Sequence, residues 1–186
     1  TPSPDRARAG FHFLEEPVDA RSIGMGSAGT ASWGPGGAYY NPARILLDDY
    51  SYASVQYGRQ PGDLGKPRFE GVWRTGEWAL GLSVKSHTIS GIVPANEQGR
   101  MEDLAFSAPA SLGALTAGLR REHFGVAVTL NAFEERIFAD AGYVGVSGSA
   151  GIIWEGIPSK LTFGLAGFHQ GVSRNRALDG SEWGGG

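Results

Sequence analysis

The strongest constraint in this chain is a period-two alternation in which one face is apolar and the other is built from small residues. Trp78, Leu80, Leu82 and Val84 alternate with Ala79, Gly81, Ser83 and Lys85. Phe124, Val126, Val128 and Leu130 oppose Gly125, Ala127, Thr129 and Asn131 in the same way. Val144, Val146, Ala150, Ile152 and Trp154 face away from Gly145, Ser147, Ser149 and Gly151, and Leu161, Phe163 and Leu165 from Thr162, Gly164 and Ala166. Successive side chains of a strand point to opposite faces, so this rhythm predicts β-strands. Turn-formers and charges divide the chain into strands expected at Tyr50 to Arg59, Arg68 to Thr75, Trp78 to Thr88, Leu112 to Arg121, Phe124 to Glu134, Tyr143 to Trp154 and Leu161 to Gly171. Glycine supplies 30 of the 186 residues without a collagen period, and it is a poor helix former, which excludes a helical bundle. The length suits a single domain.

Two arrangements produce such strands: a soluble sandwich with its apolar face inside, or a membrane barrel with its apolar face on lipid. The second face separates them. A soluble sheet exposes Lys, Glu, Arg and Thr to water, whereas here the face is mostly Gly, Ala and Ser, as a crowded interior requires. Strands of about ten residues match a tilted membrane strand better than the five or six usual in soluble sheets. Tyr50, Tyr52, Trp73, Trp78, Tyr143, Trp154 and Phe168 lie near run ends, as in the aromatic girdles of a bilayer interface. Arg121 to His123 and Glu155 to Ser159 read as short turns, as does Arg59 to Lys66. Ser90 to Ala110 and Glu135 to Gly142 read as longer outer loops, with Pro94, Asn96, Gly99 and Pro109 preventing regular strand. Single-chain bacterial barrels close with an even number of strands, so an odd count predicts a partial barrel or one strand undetected. No stretch reaches the roughly 20 apolar residues of a membrane-spanning helix, and the first ten residues lack a signal-peptide layout.

Residues 11–49 differ in composition, with apolar, glycine and proline residues in no strand period. Phe13-Leu14 precedes Pro17, Ala20-Arg21 leads into Gly24-Met25-Gly26, and Ala38-Tyr39-Tyr40-Asn41-Pro42-Ala43 closes the segment before the first strand. This order resembles the start of the PorV/PorQ family of outer-membrane proteins, relatives of FadL-type barrels. The resemblance spans about 40 residues and is only compositional beyond them. It implies a leader and plug over residues 1–48 and antiparallel barrel strands over 49–186. Family barrels carry more strands than are read here, so it implies the N-terminal portion of such a barrel. It further implies a role in type IX secretion, handling or passing on exported cargo at the bacterial outer membrane. Glycines at 24, 26 and 29 and the Asn41-Pro42 turn suit a segment packed into a lumen lined by small residues.

Motifs for other chemistry fail on context. Gly24 to Gly29 fits G-x-G-x-x-G, with Asp48 and Asp49 about 20 residues on. However, no hydrophobic strand precedes it, and Trp33 to Gly37 would break the following helix. His12, His87, His123 and His169 are far apart in sequence and read as solvated or loop residues. Glu15-Glu16, Asp48-Asp49 and Glu134-Glu135 are adjacent, and strand neighbours face opposite ways, so none forms an acid/base pair. Gly145 to Gly148 lacks the spacing of a nucleophile elbow. With no cysteine there is no disulfide or thiolate zinc site, and a net charge of -3 argues against nucleic acid as the main partner.

The reading is therefore an all-β, antiparallel transmembrane β-barrel, whole or partial, with an N-terminal plug, and not an enzyme. It carries no catalytic residue, metal or cofactor, and its expected partners are outer-membrane lipid, secretion components and cargo. The residues expected to contact any ligand are Met25, Tyr39, Tyr40 and Asn41, weighed against a purely structural role for all of them. Arg120, Arg121 and Glu122 are expected to cap a strand at the membrane edge, Arg174 and Arg176 to lie in a loop, and Lys85 to face inward. A FadL-like channel for hydrophobic small molecules and a non-catalytic β-sandwich module are the alternatives.

Overall fold

The computed structural model describes residues 24, 26, 29–31, 34–60, 64–92, 106–136, 141–157 and 161–177. A four-residue helix α1 (Gly37–Tyr40) and a 3-10 helix (Pro42–Leu46) precede seven strands. These are β1 (Tyr52–Gln60), β2 (Leu64–Thr75), β3 (Trp78–Ile92), β4 (Phe106–Arg121), β5 (Phe124–Arg136), β6 (Ala141–Ile157) and β7 (Leu161–Ala177). They form one antiparallel sheet in sequence order, each strand paired with its chain neighbours, with β1 and β7 at the edges. Among the described residues, no second sheet packs against it.

All seven expected strands are present, and most run further than the alternation suggests. The segment expected as a turn at Arg59 to Lys66 is mostly strand, with Gln60 paired to Leu64. Pro109 does not stop β4, since it pairs opposite Thr88. It is accommodated beside a register shift between Ile89 and Ile92, where the ladder is already interrupted and a missing N–H does least harm. Pro94, Asn96 and Gly99 lie outside the described residues. Two-residue turns join β2 to β3 and β4 to β5, with Gly76 at φ 57° and Glu122 at φ 50°. The first is a natural glycine position, and in the second a glutamate takes up a left-handed conformation.

The faces separate cleanly. Along β5, residues 124–134 alternate exposed and buried without a break. The apolar side chains are the exposed ones: Leu130 is 72% and Val128 59% exposed, whereas Ala127, Thr129 and Asn131 between them are buried. The same outward apolar face continues through Val55, Trp73, Leu82, Leu115, Val146, Leu165 and Val172 on the other strands. At the end bearing the two-residue turns it carries Trp73, Trp78, Phe124, Trp154 and Phe163, with Trp154 and Phe163 stacked at 5.4 Å. The expected girdle needs correcting at Tyr52 and Tyr143. Tyr52 pairs with Val72 and Tyr143 with Glu135, which puts both on the inward face. Tyr50 is exposed before β1 begins.

The core lies on the opposite, inward face. Ala43, Ile45, Leu46 and Leu47 of the preceding segment pack there against Val72, Ala79, Ala127 and Ile153. Burying each of the large aliphatic side chains contributes about 2 kcal/mol.

Candidate functional site

The inward face is a seat, and the residues that make it are the small ones of the alternation. Gly118 and Gly125 lie against the Leu46 side chain: a Cβ on either would stand 3.1 or 2.9 Å from Leu46 Cδ1. A Cβ on Gly151 would overlap Asn41 Oδ1, and one on Gly164 would lie 2.6 Å from Thr30 O. Larger residues on this face would push the segment off the sheet.

Asn41 is fully buried and is the pivot of that seat. Its Oδ1 accepts from Ala43 N–H at 3.0 Å, capping the 3-10 helix whose first residue is Pro42. Its Nδ2 donates to Thr30 O and to Ile152 O, both at 3.0 Å, tying the segment to β6. Both ends of the amide serve the chain's own fold. Tyr40 is buried edge-on to Tyr39, with ring centroids 5.5 Å apart, and Gly29 makes room for its ring. Tyr39 packs beside the Ala110, Leu112 and Phe133 cluster, and its hydroxyl accepts from Lys85 Nζ at 2.9 Å. The structure thus brings Tyr39, Tyr40 and Asn41 together. Met25 lies outside the described residues.

The segment's C-terminal end is held by charge. Arg74 Nη1 donates to Leu46 O at 2.7 Å and Asp48 O at 3.0 Å, and Arg120 Nη1 donates to Leu46 O at 2.9 Å. These guanidiniums satisfy carbonyls that the end of a 3-10 helix leaves open. Arg120 Nη2 also pairs with buried Glu155. The expectation that Arg120 caps a strand at the membrane edge is therefore corrected: it belongs to the inward set with Thr116 and Gly118 and turns onto the segment. Its neighbour Arg121 faces away, 3.6 Å from Glu77, with both side chains exposed.

Farther along the inward face, Arg68 and Glu70 form a buried pair at 2.8 Å. Glu70 also accepts from Gly36 N at 2.5 Å and Tyr52 OH at 3.2 Å. Charges inside a sheet are costly unless paired, and this one is paired three ways. The Asp48 carboxyl is held above its ordinary value, first by burial, with Arg44 pulling the other way. Asp49, its neighbour, is 85% exposed.

The alternation singles out the seat but not these anchors, because an arginine on a small-residue face reads as a solvated strand end. Lys85, expected to face inward, does so. Among the described residues no group of His, Asp or Glu could hold a metal ion, and the first described helix after the G-x-G-x-x-G run has only four residues. Neither a protein-family model nor a curated protein matches the chain.

Proposed function

We propose that this chain is a bacterial outer-membrane β-barrel protein, or a portion of one, of PorV/PorQ type. Its strands meet lipid with their apolar face, and residues up to about 48 act as a plug. The observation that carries the reading is the inversion of the sheet. Large apolar side chains are exposed on every strand, while Ala79, Ala127 and the glycines at 118, 125 and 151 lie under the Asn41–Leu47 segment. An apolar face this extensive is not stable against water and requires a cover. Lipid fits it, because Trp73, Trp78, Phe124, Trp154 and Phe163 stand exposed at one end of the sheet, as in an aromatic girdle at a bilayer interface. The single described sheet offers no second layer of the kind a sandwich uses.

The function follows from the resemblance of residues 11–49: handling or passing on exported cargo in type IX secretion, through loops and plug, without catalysis. Membrane fractionation, followed by electrophoresis with and without boiling, tests the barrel. Recovery in the outer membrane with a heat-dependent mobility shift supports it, and recovery as a detergent-independent soluble protein overturns it. Copurification of exported proteins tests the secretion role. Recovery with small apolar ligands and no cargo would favour the FadL-like channel instead.

A further inference from the structure

The outward face changes character at the end that carries the longer connections. Along β5 its exposed side chains run Phe124, Val126, Val128, Leu130 and Ala132, then Glu134 and Arg136. On β7 the same face carries Phe163 and Leu165 and, past the register shift, Val172 and Arg174, all exposed. Register ties these two strands together through β6. Phe124, Trp154 and Phe163 share one row at the end bearing the two-residue turns, Glu134, Val144 and Arg174 share another, and Arg136, Gly142 and Arg176 the next. Arg174, expected in a loop, therefore lies on a strand, because pairing with β6 carries β7 on to Ala177.

Height and charge set these arginines apart. From the Phe124 row to the Glu134 row a strand advances roughly 34 Å, which a tilt of about 40° reduces to roughly 26 Å of height. The apolar band of an outer-membrane barrel is about 25 Å tall. With the aromatics at one rim of that band, Arg136 and Arg174 stand level with the lipid headgroups at the other. At the turn end the outward Arg121 is matched by Glu77, 3.6 Å away. At the opposite end, the ion pairs among the described residues include none of Arg136, Arg174 and Glu134. The two arginines stand two strand spacings apart, about 10 Å. Beside Arg136 on β6 is Gly142, which puts no side chain between them.

We propose that Arg136 and Arg174 form a docking surface for the phosphate of an anionic lipid, on the outward face at the end with the longer connections. The inference rests on the barrel reading above. A guanidinium presents paired N–H donors that match phosphate oxygens, and its apolar stem can lie on a greasy surface while the head stays in water. Longer connections mark the cell-exterior end of such barrels, so the lipid belongs to the outer leaflet. An acidic protein is the competing occupant. The position of the pair, level with the headgroups rather than beyond them, favours lipid.

The test inserts the full chain into vesicles of equal parts phosphatidylcholine and phosphatidylglycerol, extracts it in a neutral detergent, and measures by mass spectrometry the lipid that stays with it. The expected result is enrichment of phosphatidylglycerol over the vesicle mixture, falling as salt screens the arginines. Arg136→Gln and Arg174→Gln each lower that enrichment by up to about five-fold, the contribution of one basic residue near an anionic surface. Both side chains are exposed, so these variants are expected to fold. Arg121→Gln, at the turn end and already paired with Glu77, leaves the enrichment unchanged. An inserted chain that shows a heat-dependent mobility shift but no enrichment overturns the docking surface alone and leaves the arginines to an acidic protein. Enrichment that persists in the double variant, or that Arg121→Gln lowers equally, also overturns it. A chain that enters vesicles of neither lipid and shows no mobility shift overturns the barrel reading, and the docking surface with it.

Discussion

The two faces of this sheet are made from the same strands and obey opposite rules. On the inward face, residue size decides everything: glycines at 118, 125 and 151 touch Leu46 or Asn41, and one added methyl group collides. On the outward face, size is nearly free. Gly167 lies in a shallow apolar depression of about 450 Å³ beside Ala117 and Ala150, and a Cβ there would meet nothing within 4 Å. Glycine abundance therefore has two meanings in one chain, a fitted contact on one side and open space on the other.

That contrast can be broken most sharply at paired glycines. Gly151→Val should displace Asn41 and cost about 3 kcal/mol or more by overpacking, while Gly167→Val should stay within about 0.5 kcal/mol. Thermal or denaturant unfolding of the two variants measures the difference, and equal costs would mean that the segment is not seated as described. Next in size, Arg120→Ala strips Glu155 of its partner and Leu46 O of a donor, at about 3 kcal/mol. Adding Glu155→Gln should recover part of that loss. Leu130→Arg, at mid-strand on the outward face, should cost about 2 kcal/mol in a bilayer and almost nothing if that face meets water. Refolding into lipid vesicles with a denaturant titration reads it.

The smallest effect is expected at Asp48. Its folded pKa is raised by burial above 3.8, so the protonated form favours the folded state. That contribution is complete below 3.8 and is lost as pH rises through the raised value. Asp48→Asn should therefore flatten the acid limb of a stability-versus-pH curve and slightly raise stability at neutral pH. A curve steeper than that of the parent protein would contradict it.

Much of the molecule is legible in its sequence. Strand existence, the composition of each face and the inward placement of Lys85 all follow from a two-residue period, which is a local signal. Strand ends are less legible: β3 runs to Ile92 and β4 starts at Phe106, because pairing with a neighbour extends a strand past the residues that would choose it alone. Tyr52 and Tyr143 mislead for a related reason, since an aromatic near a strand end looks identical whichever way it faces. The anchors at Arg74, Arg120 and Glu155 are not legible at all. Arg74 and Arg120 reach Leu46 O, and Arg120 reaches Glu155, only through the fold, and Arg120 lies 74 residues from the carbonyl it holds. Asn41 falls between these cases, since its turn is readable from Asn-Pro while its bond to Ile152 O, 111 residues away, is not.

The meander has a directional consequence. Each strand runs opposite to its neighbour, so β1 and β7, separated by five others, point the same way. Joining these edges directly would make a parallel seam in an otherwise antiparallel ladder. Any all-antiparallel ring that includes this sheet must therefore contain an odd number of strands beyond the seven, and the strand lying against β1 and the one lying against β7 must both run against them.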